Sequence, residues 1–296
     1  MIKRKRLLLF CLLGLFEHLS AQNPYVLNGS AKQDDCHCYT LTTEQEFQSG
    51  SIWNKNKIDL YQPFDYFFNV YLGCLDFEGA DGIAFVLQPI STSLGSDGNG
   101  LGFGGITPSL GVTIDTYTNF EDNDPPYDHI AIQKDGDVVH YTPDELAGPI
   151  PALANSTNIE DCKWHILEVS WQPATYTMLV SMDGVLRLSL QKNIISDIFF
   201  NNPLVYWGFT SATGGSDNLQ KMCTSLDANF SLAPHNNTCL GTPLTFLDSS
   251  VSFGAISKWY WNFGDGTTSN EKNNQKADKG QSYFYSILTR IEIPVL

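Results

Sequence analysis

Two carboxylates, an amide and an imidazole crowd one short stretch of this chain: Asp115, Asn119, Asp124 and His129. Oxygen ligands at this density read as a cage for a hard cation, because calcium takes six to eight oxygens at roughly 2.3–2.6 Å. A plain structural reading stands beside it. Asp115 would end a strand, Asn119 and Asp124 would close turns, Asp124-Pro-Pro is good turn chemistry in itself, and His129 would fill a strand face. No motif for covalent chemistry accompanies the cluster. The sequence contains no nucleophile elbow, zinc motif or phosphate loop. A retaining glycosidase needs two carboxylates about 5–5.5 Å apart, and alternation along a Glu-x-Asp-x-Glu strand would supply them. The nearest run here is Thr113-Ile-Asp115, while Glu121-Asp122 falls on a turn.

The elements that must carry these residues read as almost entirely β. Residues 67–72, 83–87, 165–171 and 204–209 are rich in aromatic and β-branched side chains. Two hairpins are signalled, one over 178–190 around Asp183-Gly184 and one over 129–141 around Asp135-Gly136. Asp-Gly suits the positive φ angles of tight hairpin turns. Only residues 143–147 hint at a helical turn. Many short strands between turn signals predict an all-β antiparallel sandwich or jelly roll over residues 23–228.

The chain opens on Lys3-Arg-Lys-Arg6, an apolar run from Leu7 to Phe16 and a small-residue exit near Ala21. This pattern predicts a secretory signal peptide over residues 1–21, and the run is too short to span a bilayer comfortably. Without it, four of the 17 basic and one of the 32 acidic residues are gone, leaving a formal charge of −18. Such a surface disfavours nucleic acid and anionic lipid as partners. Of seven cysteines, Cys11 leaves with the leader. The six that remain read first as disulfides in an exported protein, with fifteen pairings open. Cys36-His-Cys38 has no second CxC or CxxC to complete a metal site.

Four segments in order sharpen this reading: Ala80-Asp-Gly-Ile-Ala-Phe-Val-Leu-Gln-Pro89, Leu101-Gly-Phe-Gly-Gly105, the Asp115 loop, and Trp207-Gly-Phe-Thr-Ser-Ala-Thr-Gly-Gly215. Together they resemble the L-type (legume-like) lectin domain, a concanavalin-like β-sandwich. The resemblance implies calcium held by Asp115 and Asp124 through carboxylates, Tyr117 through its carbonyl and Asn119 through its side-chain oxygen. It implies Asp81 as the main acceptor for sugar hydroxyls, after a cis Ala80–Asp81 peptide. Backbone NH groups at Gly100, Gly214 and Gly215 would meet sugar hydroxyls, the Asn119 amide would donate to one, and the Tyr117 ring would pack on a pyranose. His129 stands where the family places an imidazole on a second, transition metal. The family's glutamate for that metal is replaced here by Thr113, so calcium alone is expected and the second site reads as incomplete.

A further segment, Trp259-Tyr-Trp-Asn-Phe-Gly-Asp-Gly-Thr-Thr268, resembles the PKD repeat, a small spacer sandwich of surface proteins. The resemblance fades after about residue 270, so residues 229–296 are expected to form a partial module with a poorly ordered tail. The expectation is a calcium-dependent carbohydrate-binding protein without catalysis, exported or at the cell surface, of a bacterial type. Mannose- or glucose-type ligands are expected, with galactose open. A glycoside hydrolase on the same sandwich and a structural adhesion module that binds no sugar are the competing readings. Oligomeric state is not legible.

Overall fold

The computed structural model describes residues 24–35, 37–95, 98–224, 226–227, 230–233, 243–248, 251–252, 259, 261–263, 267–277 and 287–288. The expected leader, Cys36, Cys239 and most of the tail beyond the second module lie outside these. Among the described residues, fifteen strands precede residue 225: β1 (Tyr25–Gly29), β2 (Lys32–Gln33), β3 (Cys38–Thr42), β4 (Ser49–Asn54), β5 (Ile58–Asp59), β6 (Phe64–Tyr71), β7 (Gly82–Gln88), β8 (Leu110–Asp115), β9 (His129–Lys134), β10 (Glu145–Pro151), β11 (His165–Gln172), β12 (Thr177–Met182), β13 (Val185–Gln191), β14 (Leu204–Ala212) and β15 (Gln220–Thr224). They form two antiparallel sheets. One runs β1-β4-β14-β7-β8-β9-β10 with β5 beside β14, and the other runs β13-β12-β11-β6-β15-β3-β2. This is the all-β sandwich expected from the sequence.

Period-2 alternation decides what lies between the sheets. Ile83, Phe85 and Leu87 of β7, Leu110, Val112 and Ile114 of β8, and Ile130 and Ile132 of β9 all enter the main core. They meet Val169 and Trp171 of β11 and Val180 of β12 from the opposite sheet. The intervening residues of β7 do not face water. Ala84 and Val86 belong to a second cluster with Trp53, Phe103 and Ile106. Residues 98–109 therefore fold over the outer face of the first sheet as a third layer. Phe103 fits because position 111 is glycine: a Cβ there would stand 2.8 Å from the ring. Full burial of a phenylalanine contributes about 1.5–3 kcal/mol, enough to hold the loop down. Residues 111, 113 and 115 of β8, with 129, 131 and 133 of β9, share this covered face.

The Asp183-Gly184 hairpin forms as expected between β12 and β13, with φ of 50° and 75° at its turn. At Asp135-Gly136 the turn also forms, with φ of 60° and 69°, but the second hairpin does not close directly. The return strand is β10, which pairs with β9 only from Glu145 and with two register shifts. Residues 137–144 are diverted because the His140 NH donates to the Asp122 carbonyl at 2.8 Å. The helical turn expected over 143–147 is instead the entry to β10, where Glu145 pairs with Gln133. Among the described residues the only α-helix is Ile194–Asp197.

Two disulfides join Cys38 to Cys223 and Cys74 to Cys162. The first links adjacent strands β3 and β15; the second staples the loop after β6 to the loop before β11. Cys38 is thereby engaged and unavailable to any Cys36-His-Cys38 metal site. Beyond the sandwich, Pro243–Asp248 pairs with Phe230–Ala233 and Asn274–Ala277. Phe246, Trp261 and Phe263 are buried there, with the last two rings stacked 6.2 Å apart.

Candidate functional site

The site forms where β7 begins, β8 ends and β9 begins. Gly82 pairs with Asp115, and Asp115 pairs with His129, so three adjacent strands bring these positions into one row. Position 82 has to be glycine: its φ is +137°, and a Cβ would stand 2.2 Å from the Ile114 carbonyl oxygen. The preceding Ala80–Asp81 peptide is cis. Asp81 is clamped by its backbone at both ends, its NH donating to the Ala212 carbonyl and its carbonyl accepting from the Thr116 NH, each at 3.0 Å.

The loop after β8 folds onto its own carboxylates. Tyr117 NH donates to Asp115 Oδ1 at 3.0 Å, and Asn119 NH donates to Asp124 Oδ2 at 2.7 Å. A 3-10 turn over Phe120–Asp122 lies between, ending on Asn123 in the left-handed region at φ 61°. These bonds use one oxygen of each carboxylate. Asp124 Oδ1, Asn119 Oδ1 and Asp81 Oδ2 are buried and have no hydrogen-bond partner. Buried polar atoms are normally satisfied, so such atoms gathered on one loop and its neighbour call for an explanation.

The electrostatics say the same. Burial, then the charge of Asp124, pushes Asp115 well above the usual carboxylate range, against the Tyr117 NH bond. Burial also lifts Asp81 to about 7 and, opposed by the Asn119 NH and His140, lifts Asp124 to about 6. Acids held this way carry a proton or a cation. The donor set, carboxylate and amide oxygens with one buried oxygen apiece left over, fits a hard divalent ion.

The Gly214 loop borders Asp81. A Cβ on Gly214 would stand 3.5 Å from Asp81 Oδ2, while one on Gly215 would meet nothing within 4 Å. The Gly98–Gly100 turn leads into Leu101, whose carbonyl accepts from the Thr210 hydroxyl of β14 at 2.8 Å. That places this segment against Thr210 and Ser211 of β14, the strand whose Ala212 carbonyl accepts from the Asp81 NH. Tyr117 is 36% exposed and Phe120 87% exposed on the rim. Phe47, 71% exposed, gives its NH to the Gly214 carbonyl at 2.9 Å. Sequence reasoning passed over Phe47, which lies outside all four motifs.

It also passed over His140 and Glu145. His129, nearly without solvent exposure, turns its Nδ1 toward the Tyr127 carbonyl at 3.2 Å and its Nε2 toward His140 Nε2 at 2.7 Å. His140 Nδ1 meets Glu145 Oε1 at 2.7 Å. Burial, then His140, pulls His129 down to about 3. Thr113 shares the outer face with Asp115 and gives its hydroxyl to Gln133 Oε1 at 2.9 Å.

A two-sheet β-sandwich with a buried oxygen cluster beside an acid flanked by Gly82 and Gly214 defines a lectin-like class. The family model of the legume lectin β-barrel domain matches residues 16–226, and the chain belongs to that family. Curated relatives match over shorter stretches. The galactose-binding lectin of Arachis hypogaea is 40% identical over 63 residues, 19% of this chain and 23% of that protein. The pesticidal crystal protein Cry22Aa of Bacillus thuringiensis is 31% identical over 105 residues, 35% of this chain and 14% of that protein. The matches therefore span under a quarter of either relative's length. Among solved structures, the metal-free lectin I-B4 of Griffonia simplicifolia superposes with a TM-score of 0.56 at 20% identity, covering 70% of this chain and 93% of that one. The Ca2+-bound exoplasmic/lumenal domain of VIP36 gives 0.52 at 17% identity, covering 68% and 83%. These likenesses establish the fold.

Proposed function

We propose that this protein binds glycans in a calcium-dependent manner and performs no covalent chemistry. The observation that carries the reading is the set of buried, partnerless oxygens on Asp124, Asn119 and Asp81 around the row formed by Asp115. Asp115, Asn119 and Asp124, with the Tyr117 carbonyl, would hold the ion, and His129 closes the far side of the loop. A bound calcium would supply the positive charge that lets these acids stay ionised and the loop stay folded. Asn119, giving its oxygen inward, then presents its NH2 as a fixed donor. Asp81 accepts from sugar hydroxyls, backbone NH groups at Gly100, Gly214 and Gly215 donate, and the Tyr117 ring packs on the apolar face of a pyranose. A shallow site of this kind binds weakly at one copy and gains from multivalency.

The same reading places residues 23–228 as the glycan-binding unit of an exported protein and 229–296 as a partial PKD-like spacer. The buried Trp261–Phe263 stack and Phe246 support a small separate core there. Because the Arachis hypogaea relative is named for galactose, galactosides belong in the test beside mannosides and glucosides. A glycan array with calcium and again with chelator checks the proposal. Binding is expected only with calcium, and Asp81→Ala is expected to abolish it while leaving calcium affinity within about twofold. If the unmodified protein captures no glycan in calcium, the structural adhesion reading replaces this one. Turnover of an oligosaccharide would establish an enzyme instead.

A further inference from the structure

We propose that Phe47 forms a second glycan subsite, which takes the apolar face of the neutral sugar residue next to the one held by Asp81. This subsite rests on the glycan reading above and lengthens its ligand beyond one sugar. Five strands of the first sheet share a row at one end. Ser49 of β4 pairs with Ala212 of β14, Ala212 with Gly82 of β7, Gly82 with Asp115 of β8 and Asp115 with His129 of β9. Just past that row stand Phe47 before β4, Gly214 after β14, Asp81 before β7 and Tyr117 after β8. All four therefore leave the sheet at the same end. Neighbouring strands lie about 4.8 Å apart, so Tyr117 is one strand from Asp81 on one side and Phe47 is two strands, roughly 10 Å, away on the other. A single pyranose seated on Asp81 and Tyr117 falls short of Phe47, while the next residue of the same glycan spans the gap.

The loop before β4 is fastened to the Gly214 loop by four hydrogen bonds. Thr213 NH donates to the Gln48 carbonyl at 2.9 Å, and Gln48 NH to Thr213 Oγ1 at 2.9 Å. The Thr213 hydroxyl donates to the Gln45 carbonyl at 2.7 Å, and Phe47 NH to the Gly214 carbonyl at 2.9 Å. A Cβ on Gly214 would stand 3.5 Å from Asp81 Oδ2, so Gly214 lies between the Phe47 backbone and the Asp81 carboxylate.

Phe47 is an odd residue for this place on structural grounds alone. Its φ is +55°, in the left-handed region where a bulky side chain is disfavoured and glycine or asparagine is at ease. Core packing does not offset that cost, because the residue is 71% exposed. A disfavoured backbone that holds an apolar ring at the rim of a polar site points to a ligand face. The ring is flanked by Glu44 and Glu46, both exposed. Aromatic rings pack on apolar C–H faces, and acidic neighbours repel carboxylated or sulfated sugars, so the residue on Phe47 is neutral. The competing arrangement is a ring that serves a protein partner.

The test uses the full chain saturated with calcium. Methyl glycosides of galactose, mannose, glucose and any other terminal sugar an array returns are titrated by calorimetry. Neutral disaccharides, α- and β-linked, that end in the same sugars are titrated beside them. At least one disaccharide is expected to bind about 5- to 10-fold tighter than its monosaccharide. In Phe47→Asn, which suits the left-handed backbone and lacks the ring, that ratio is expected to fall to about 1, and in Phe47→Trp to be kept. A carboxylate on the second residue is expected to remove the gain; if the gain persists, the ligand class is wrong. In the unmodified protein, nuclear Overhauser contacts are expected between the Phe47 ring and C–H protons of the second sugar, so the answer does not depend on a variant folding. An unchanged ratio in folded Phe47→Asn, or a bound disaccharide without those contacts, would overturn the subsite. Monosaccharide binding with no gain from any disaccharide overturns it and leaves the glycan reading standing. Capture of no glycan at all by the unmodified protein in calcium overturns both.

Discussion

Two groups of buried acids, one on the Asp115–Asp124 loop and one around Asp128 and Glu160, are balanced differently. On the Asp115–Asp124 loop, one of the partnerless oxygens belongs to an amide, Asn119. An amide oxygen cannot take up a proton at ordinary pH, so only an outside donor or a cation satisfies it. Around Glu160, Oε1 accepts from Asn218 Nδ2 at 2.6 Å, and that same amide reaches the Leu75 carbonyl at 2.9 Å. Asp128 Oδ2 accepts from Ile159 NH at 2.6 Å. Glu160 also has one oxygen without a partner, but burial pushes this acid up to about 9, so near neutrality it carries its own hydrogen. The Cys74–Cys162 bond brackets this second group, with Cys74 NH bound to Asn218 Oδ1 at 3.2 Å. Buried carboxyls thus sit in two different settings within one sandwich: one group includes an amide oxygen that no proton can satisfy, the other pairs a strongly raised Glu160 with a side-chain amide beside a disulfide.

The contrast predicts effects of different size. The largest belongs to Asp124→Ala, which removes an oxygen from the first group and strands the Asn119 NH. Calcium and glycan affinity are each expected to fall more than ~100-fold, measured by calorimetry. If both persist, the loop is satisfied without an ion and the contrast fails. Next comes the pH dependence of the second group. Between about pH 4.5 and 9 the unfolded chain has released the Glu160 proton and the folded chain keeps it. Stability therefore falls as pH rises through that window, by at most about 1.4 kcal/mol per unit. Below pH 4.5 both states are protonated and nothing is lost. Glu160→Gln is expected to flatten the slope, read by urea unfolding at pH 6 and 8.5 with calcium saturating. An unaltered slope would mean that Glu160 is ionised, and that the two groups are alike. The smallest effect is expected from Tyr117→Ala, about a 5- to 10-fold loss of glycan affinity with calcium binding unchanged, since a rim ring contributes around 1 kcal/mol of packing.

Much of this arrangement was readable from residues. The strand runs through Phe85, Trp171 and Phe209, the Asp183-Gly184 turn and the cis Ala80–Asp81 peptide follow from local pattern together with the family's ordered motifs. His140 was not readable, because its position depends on a bond between its backbone and Asp122, eighteen residues upstream. By local pattern, residues 129–141 make one uninterrupted hairpin, and that pattern put His140 on a strand. The third layer was missed for a related reason. Leu101-Gly-Phe-Gly-Gly105 was legible as a motif, yet that Phe103 lands on Gly111 is a fact of packing across the sheet. Disulfide pairing needed the fold, since strand adjacency rather than spacing brings Cys38 to Cys223.

That last bond has a mechanical meaning. β15 is the final strand of the sandwich, lying between β6 and β3, and whatever follows residue 224 pulls on it first. With Cys223 bonded to Cys38, a tug from that side cannot unzip β15 by itself; it must drag β3 as well. Tension delivered from downstream is shared by two strands of the back sheet, and it reaches the Ala80–Asp81 bond only through Gln220 at the far end of β15, whose Nε2 donates to the Ala80 carbonyl at 2.7 Å.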